Sequence, residues 1–177
     1  MVDEEARLVA LARSGHAEAF AHLVLRHQVR VYRIALRMLG NPADAEDAAQ
    51  EAFLAAWRGL DRFRFDSSFS TWLQRIVVNR CLNVLRARRS TPEQPADHEP
   101  VAIGGPQEAV EVYEQMAALR RALQRLTPEQ RAAFVLRYLE GCTLEEIARV
   151  LGISLSAVKS RLHRARAELI AAMEAQA

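Results

Sequence analysis

Between Ile153 and Ala167 the chain carries four cations, Lys159, Arg161, Arg164 and Arg166, and no acid. Guanidinium and ammonium groups donate hydrogen bonds to phosphate oxygens and to the O6 and N7 edge of guanine, so this run points to nucleic-acid recognition rather than to bond breaking. Helical period divides the remaining residues. Leu155, Val158, Leu162, Ala165 and Leu169 recur at spacings of three and four, which predicts a buried stripe. The opposite face is left with Ser156, Lys159, Ser160, Arg161, His163, Arg164 and Arg166, and its small leading residues let a helix approach base edges in a major groove. Lys159, Ser160, His163 and Arg164 are the base-edge candidates, with Arg161 and Arg166 placed to meet phosphates.

A second cationic run lies upstream. From Thr71 to Arg89 there are five arginines (Arg75, Arg80, Arg86, Arg88 and Arg89), no acid, and two amides, Asn79 and Asn83. Arginines track phosphates, and an amide both donates and accepts, so it can read an exposed base edge. Phe63 and Phe65 precede this run and could wall in an unstacked base, as single-strand binders do. Phe69 and Trp72, three residues apart, fit a core assignment better. A third segment has the opposite charge: Asp44, Glu46, Asp47, Gln50 and Glu51 suit either the positive end of a helix dipole or docking against a basic protein partner.

Elements that position these residues are punctuated in the sequence. The propensity sum, rich in Ala, Leu, Arg and Glu with only 7 Gly in 177 residues, predicts an all-α chain. Helices are predicted over Asp3–Ala12, Ala17–Leu39, from Asn41-Pro42 to Gly59, and over Ser70–Arg89. In the third of these, Ala48, Phe53, Leu54 and Trp57 supply the apolar positions. Four of the six prolines and the pair Gly104-Gly105 fall between Thr91 and Pro106, where helix cannot persist. Charge follows the same division: +4 up to Thr91 (14 Arg, 10 acids), −4 from Pro92 to Val110 (no base, 4 acids), and +2 thereafter (10 bases, 8 acids). The expected organisation is a first helical domain over residues 1–90, an acidic Pro/Gly-rich linker over 91–107, and a second helical domain over 108–177. Helices there are predicted from Gln107 to Leu126, from the Thr127-Pro128-Glu129-Gln130 capping box to Leu139, and from the Thr143-Leu-Glu-Glu146 box to Leu151. Gly152, Ile153 and the cap Ser154 then lead into the basic helix, the layout of a helix-turn-helix.

Other function classes are disfavoured. Cys81 and Cys142 lie far apart, without ligand spacing, and read as buried thiols. No metal-ligand pattern, phosphate loop or nucleophile motif is present, so neither enzyme activity nor a cofactor or metal is expected. The acidic N-terminus and the absence of a run of about 18 apolar residues predict a cytoplasmic protein with no membrane insertion.

Taken in order, Asp44-Ala-Glu-Asp-Ala-Ala-Gln-Glu-Ala-Phe-Leu-Ala-Ala-Trp57, Thr71-Trp-Leu-Gln-Arg-Ile-Val-Val-Asn79, Leu126-Thr-Pro-Glu-Gln-Arg131, Glu146-Ile-Ala148 and Val158-Lys-Ser-Arg-Leu-His-Arg-Ala-Arg166 resemble the motifs of bacterial sigma-70-family factors of the extracytoplasmic-function group. The resemblance implies a factor with regions two and four only. It implies that Asp44, Asp47, Gln50, Glu51 and Leu54 dock on the clamp helices of the largest subunit of core RNA polymerase. Phe63, Phe65, Arg75, Asn79, Arg80, Asn83 and Arg86 would hold the melted minus-ten element. The last helix would read the minus-thirty-five element near the polymerase flap region, and a cognate anti-sigma factor is a candidate partner. The chain departs from the pattern at Asn83, where many members have Asp, and at Ser156, where they have Gly. The competing reading is a conventional helix-turn-helix regulator with an N-terminal effector or dimerisation domain, which would bind duplex DNA unaided.

Overall fold

The structure, a computed structural model, describes residues 2–90 and 117–174. Every regular element among these residues is helical, with α1 (Val2–Arg13), α2 (Ala17–Leu39), α3 (Pro42–Gly59), a short 3-10 turn (Leu60–Arg62) and α4 (Phe69–Ser90) forming the first domain. The second contains α5 (117–125), α6 (Pro128–Phe134) continuing as a π-helical turn (Val135–Leu139), α7 (Leu144–Leu151) and α8 (Leu155–Glu174). The expected linker and the start of the predicted Gln107–Leu126 helix lie outside the described residues.

Local chemistry explains the boundaries. Gly40 takes a left-handed conformation (φ 76°) and its N–H closes α2 on Leu36 O, a conformation that costs a side-chain-bearing residue energy. Asn41 Oδ1 then accepts from Asp44 N and Pro42 occupies the first helical position, so α3 starts at once. Ser68 Oγ receives Thr71 N at 3.1 Å and opens α4. Both predicted capping boxes are formed, Thr127 with Gln130 and Thr143 with Glu146.

Ala45, Ala48, Ala52 and Ala56 form the buried face of α3, and these short side chains let α2 and α4 approach closely. Phe53 is only half-buried, and Leu54 and Trp57 are exposed, so the alanines rather than the large residues are the inward stripe. In α8, Val158, Leu162 and Ala165 are buried as expected and Leu169 is half-buried, but Leu155 is 41% exposed because it stands at the helix start beyond the contact with α6 and α7.

The two domains share a core. Buried residues of α2, α3 and α4 form one cluster with Ala132, Ala133, Val135, Leu136, Cys142, Ile147 and Val150 of the second domain. Apolar residues of α4 are therefore covered on two sides: Leu73 and Val77 lie on one side of the helix, Val78 and Leu82 on another, and all four are buried. Domains of this size gain from sharing a core, since a small domain alone buries a modest fraction of its surface.

Charged groups complete the seam. The Glu140 side chain, 0% exposed, receives Arg33 Nε at 2.9 Å and Nη2 at 2.7 Å, and Arg37 Nη1 at 2.6 Å, while Arg30 Nε lies 3.4 Å from Oε2. Arg37 also donates to Leu139 O at 2.6 Å. Nearby, the buried Arg131 donates to Met38 O at 2.7 Å, where the carbonyls at the end of α2 favour a cation. Burial, then the neighbouring Arg89 and Arg88, pull the Arg131 pKa down to about 10.

Candidate nucleic-acid interface

The second-domain surface is built by α7, its turn and α8. Gly152 adopts φ 64° and ends α7, and three residues later α8 begins, with Ser154 Oγ accepting Ala157 N at 3.1 Å. A non-glycine residue at 152 would have to hold a left-handed conformation. Ser156, Lys159, Ser160, His163, Arg164 and Arg166 are exposed on α8 and Arg161 is half-buried. Six of the seven predicted residues thus share an open face. Arg166 is held over the Tyr138 ring at 5.7 Å, a cation–π contact that fixes its guanidinium.

The first-domain surface is more complicated. Asn79 and Asn83 are exposed on α4, as are Arg75, Arg80 and Arg86. Phe63 does not fit its expected place as a wall for a base. It is 4% exposed and packs against Phe65, Phe69 and Trp72 with ring centroids 4.8, 6.1 and 5.1 Å away, because the short 3-10 turn directs it into the core. Phe65 is the open aromatic, at 47% exposure. It is also the only non-glycine residue among those described with positive φ, at 59°, and Arg13 lies 5.7 Å from its ring. Phe69 is buried and Trp72 half-buried, which agrees with their reading as core.

On α3, Asp47, Gln50, Glu51 and Leu54 are exposed and Asp44 is half-buried. Leu54, 52% exposed, adds an apolar contact to this acidic face, and Trp57 stands beside it against Phe20 with ring centroids 4.9 Å apart. The two expected sites of the first domain touch. Arg80 pairs with Glu51 at 2.5 Å, and Arg88 pairs with Asp44.

Sequence reasoning missed the residues that join the domains: Arg30, Arg33, Arg37, Gln74, Arg131 and Glu140. Arg30, Arg33 and Arg37 follow a spacing of three and four along α2, a readable signal of one cationic face, but their partner stands more than 100 positions away. Across the seam, Arg86 donates to Glu129 Oε1 at 3.0 Å, and the Cys142 thiol lies 3.6 Å from Gln74 Oε1. Desolvation raises the Cys142 pKa and pushes the Cys81 thiol up to about 12, so both thiols remain protonated at neutral pH. Among the described residues there is no group of three or more His, Cys, Asp or Glu suited to hold a metal ion, and no helix long and apolar enough to cross a membrane.

Residues 23–91 match the Sigma-70 region 2 family and residues 116–169 match Sigma-70, region 4. The ECF RNA polymerase sigma factor SigM of Mycobacterium tuberculosis is 42% identical over 93% of this chain and 82% of its own length. The ECF RNA polymerase sigma-E factor of Escherichia coli is 36% identical, with 90% and 88% covered. Among solved structures, CnrH in complex with the cytosolic domain of CnrY superposes with a TM-score of 0.75 at 32% identity, over 98% of this chain and 99% of that one. RpoE of Bartonella quintana, in complex with the anti-sigma factor NepR, shares the fold with a TM-score of 0.68 at 23% identity, over 88% and 96%.

Proposed function

Because the chain belongs to the extracytoplasmic-function group of the sigma-70 family, it directs core RNA polymerase to promoters, and we propose that its two domains divide that work by the surfaces described above. Residues 1–90 carry polymerase docking and the minus-ten element, 91–107 tether, and 108–177 read the minus-thirty-five element. Asp44, Asp47, Gln50, Glu51 and Leu54 meet the clamp helices of the largest subunit. Asn79 and Asn83, with Phe65, hold bases of the opened strand, and Arg75, Arg80 and Arg86 neutralise adjoining phosphates. On α8, Lys159, Ser160, His163 and Arg164 reach base edges in the major groove, and Ser156, Arg161 and Arg166 position the helix.

The observation that carries this reading is the open face of α8, free of acids over residues 155–167, on a capped helix-turn-helix, in the same chain as an exposed acidic face on α3. The factor works in the cytoplasm without catalysis of its own, and an anti-sigma factor is a further partner by likeness to the complexes above. The regulator reading is not favoured, since both family matches are to sigma regions. Gel filtration with core RNA polymerase followed by run-off transcription tests the proposal. Co-elution and promoter-specific transcripts are expected, whereas a chain that binds duplex DNA but never polymerase would restore the regulator reading.

A further inference from the structure

We propose that Arg13, the last residue of α1, is a positioning residue for strand opening: it holds the Phe65 ring in the orientation that receives a base of the melted minus-ten element. This rests on the assignment of that element to the first domain. α1 lies ahead of residues 23–91, the part that matches Sigma-70 region 2, so its role has to come from its own contacts. An arginine in the last turn of a helix ordinarily serves the carbonyls of its own helix end. In α1 those places are taken: Ser14 Oγ donates to Ala10 O at 2.9 Å, Gly15 N to Ala12 O at 3.0 Å and His16 N to Leu11 O at 3.2 Å. Arg13 turns instead to a segment 48 residues away. Its Nη2 donates to Asp61 O at 3.4 Å in the 3-10 turn, and its Cζ lies 5.7 Å from the centre of the Phe65 ring. A planar guanidinium can do both at once, donating along its edge while it lies over an aromatic ring. No carboxylate pairs with Arg13 among the described residues, so a carbonyl and a ring are its partners.

Phe65 needs such support. An aromatic residue at φ 59° is held in a costly conformation, which persists only where its surroundings determine it. The ring has two neighbours that can do so: Phe63, anchored in the core, with centroids 4.8 Å apart, and Arg13. α1 is in turn a fixed platform for Arg13. Glu4 pairs with Arg26 at 3.0 Å and Glu5 with His27 at 2.6 Å, which ties the start of the helix to α2, while Val9 and Ala12 are buried nearer its end. The first helix thus reaches the exposed ring through one guanidinium, and the preference of that ring for a base depends on a residue that need not touch DNA.

The experiment uses the full chain, alone and assembled with core RNA polymerase, as the parent, Arg13→Ala, Arg13→Lys, Phe65→Ala and the double variant Arg13→Ala/Phe65→Ala, with circular dichroism as the folding control. Amide hydrogen exchange over residues 61–68 reads the loop without DNA. Arg13→Ala should speed exchange there about two- to fivefold, the factor to which an exposed cation–π contact corresponds, and leave α2 and α4 unchanged. Unchanged loop exchange overturns the proposal. In the holoenzyme, competition among pre-melted bubble templates that differ at single minus-ten positions measures base discrimination. Arg13→Ala should lower it by a similar factor at one position and should add nothing in the Phe65→Ala background. Arg13→Lys should not restore it, because an ammonium is a point charge without the planar fork. Additive losses in the double variant, or rescue by lysine of a loss that is equal at every position, would make Arg13 a phosphate contact and overturn the positioning role. A parent that co-elutes with core polymerase yet discriminates among no minus-ten variants would count against the promoter assignment, while the exchange result still judges the hold of Arg13 on Phe65.

Discussion

Arg80 of α4 and Glu51 of α3 meet at 2.5 Å, which joins a group expected on promoter phosphate to one expected on polymerase. Both side chains are about half exposed, so the pair contributes little to folding. Glu51→Gln should shift the melting temperature by no more than about 4 °C, since 1 kcal/mol corresponds to roughly 2–4 °C at this size. The same change, and more strongly Asp47→Lys/Glu51→Lys, should weaken co-elution with core polymerase. Unchanged co-elution would remove α3 from the docking surface.

Phe63 and Phe65, two residues apart, should respond in opposite ways. Phe63→Ala empties a buried aromatic cluster and should cost about 3–5 kcal/mol of stability by chemical denaturation. Phe65→Gly relieves a left-handed backbone conformation and should stabilise by about 1 kcal/mol while slowing promoter opening. Faster opening in Phe65→Gly would exclude the ring from base capture.

Asn79→Ala should leave binding to duplex DNA and to core polymerase nearly unchanged, because the side chain is exposed and makes no side-chain hydrogen bond or ion pair among the described residues. It should reduce open-complex formation on a linear promoter, with partial rescue by a pre-melted bubble, because extruding a base costs a few kcal/mol that a pocket must recover. Permanganate reactivity of the melted thymines measures this directly. Normal reactivity would assign Asn79 a role outside strand opening.

Arg164→Ala should lose about 1–3 kcal/mol at one position of the upstream element and relax the preference there. Competition among promoter variants gives the measurement. A uniform loss across variants would instead make Arg164 a phosphate contact.

Acid should loosen the seam at Glu129. Although burial opposes it, backbone and Arg86 hydrogen bonding, helped by the charges of Arg86 and Arg161, hold the Glu129 pKa below its ordinary 4.5. A depressed carboxylate pKa contributes stability that is present above 4.5 and is lost as pH falls through the folded value. Scattering below pH 4.5 should show more opening than at pH 7, and Arg86→Ala should shrink that acid-induced difference, because it removes pairing that holds the pKa down. Because the carboxylate is only partly buried, the effect of this group should be modest.

The sequence was most legible where one residue settles a local choice. Pro42, Gly40, Gly59, Gly152 and the two capping boxes fix helix ends through donors, caps and φ, all within a few positions, and the observed ends follow them. The open faces of α3 and α8 followed from charge read at helical period. Two things were hidden. Phe63 and Phe65 share a loop with no period to say which ring turns inward. The seam depends on partners distant in sequence, so the spacing of Arg30, Arg33 and Arg37 along α2 could not say what they face. The adjacent apolar pairs Val77-Val78 and Cys81-Leu82 were the available clue, because one-sided packing needs no such breadth.

The π-helical turn over Val135–Leu139 amounts to a one-residue phase advance between α6 and everything after it. Glu140 N reaches back five residues to Val135 O at 3.0 Å, where an ordinary helix would reach four. Each helical residue turns the chain by about 100°, so excising one residue here would restore regular winding at the expense of aim. The carboxylate would swing away from α2, and α7 and α8 would leave at a different bearing. A single inserted residue is thereby enough to couple how the second domain is built to where it parks.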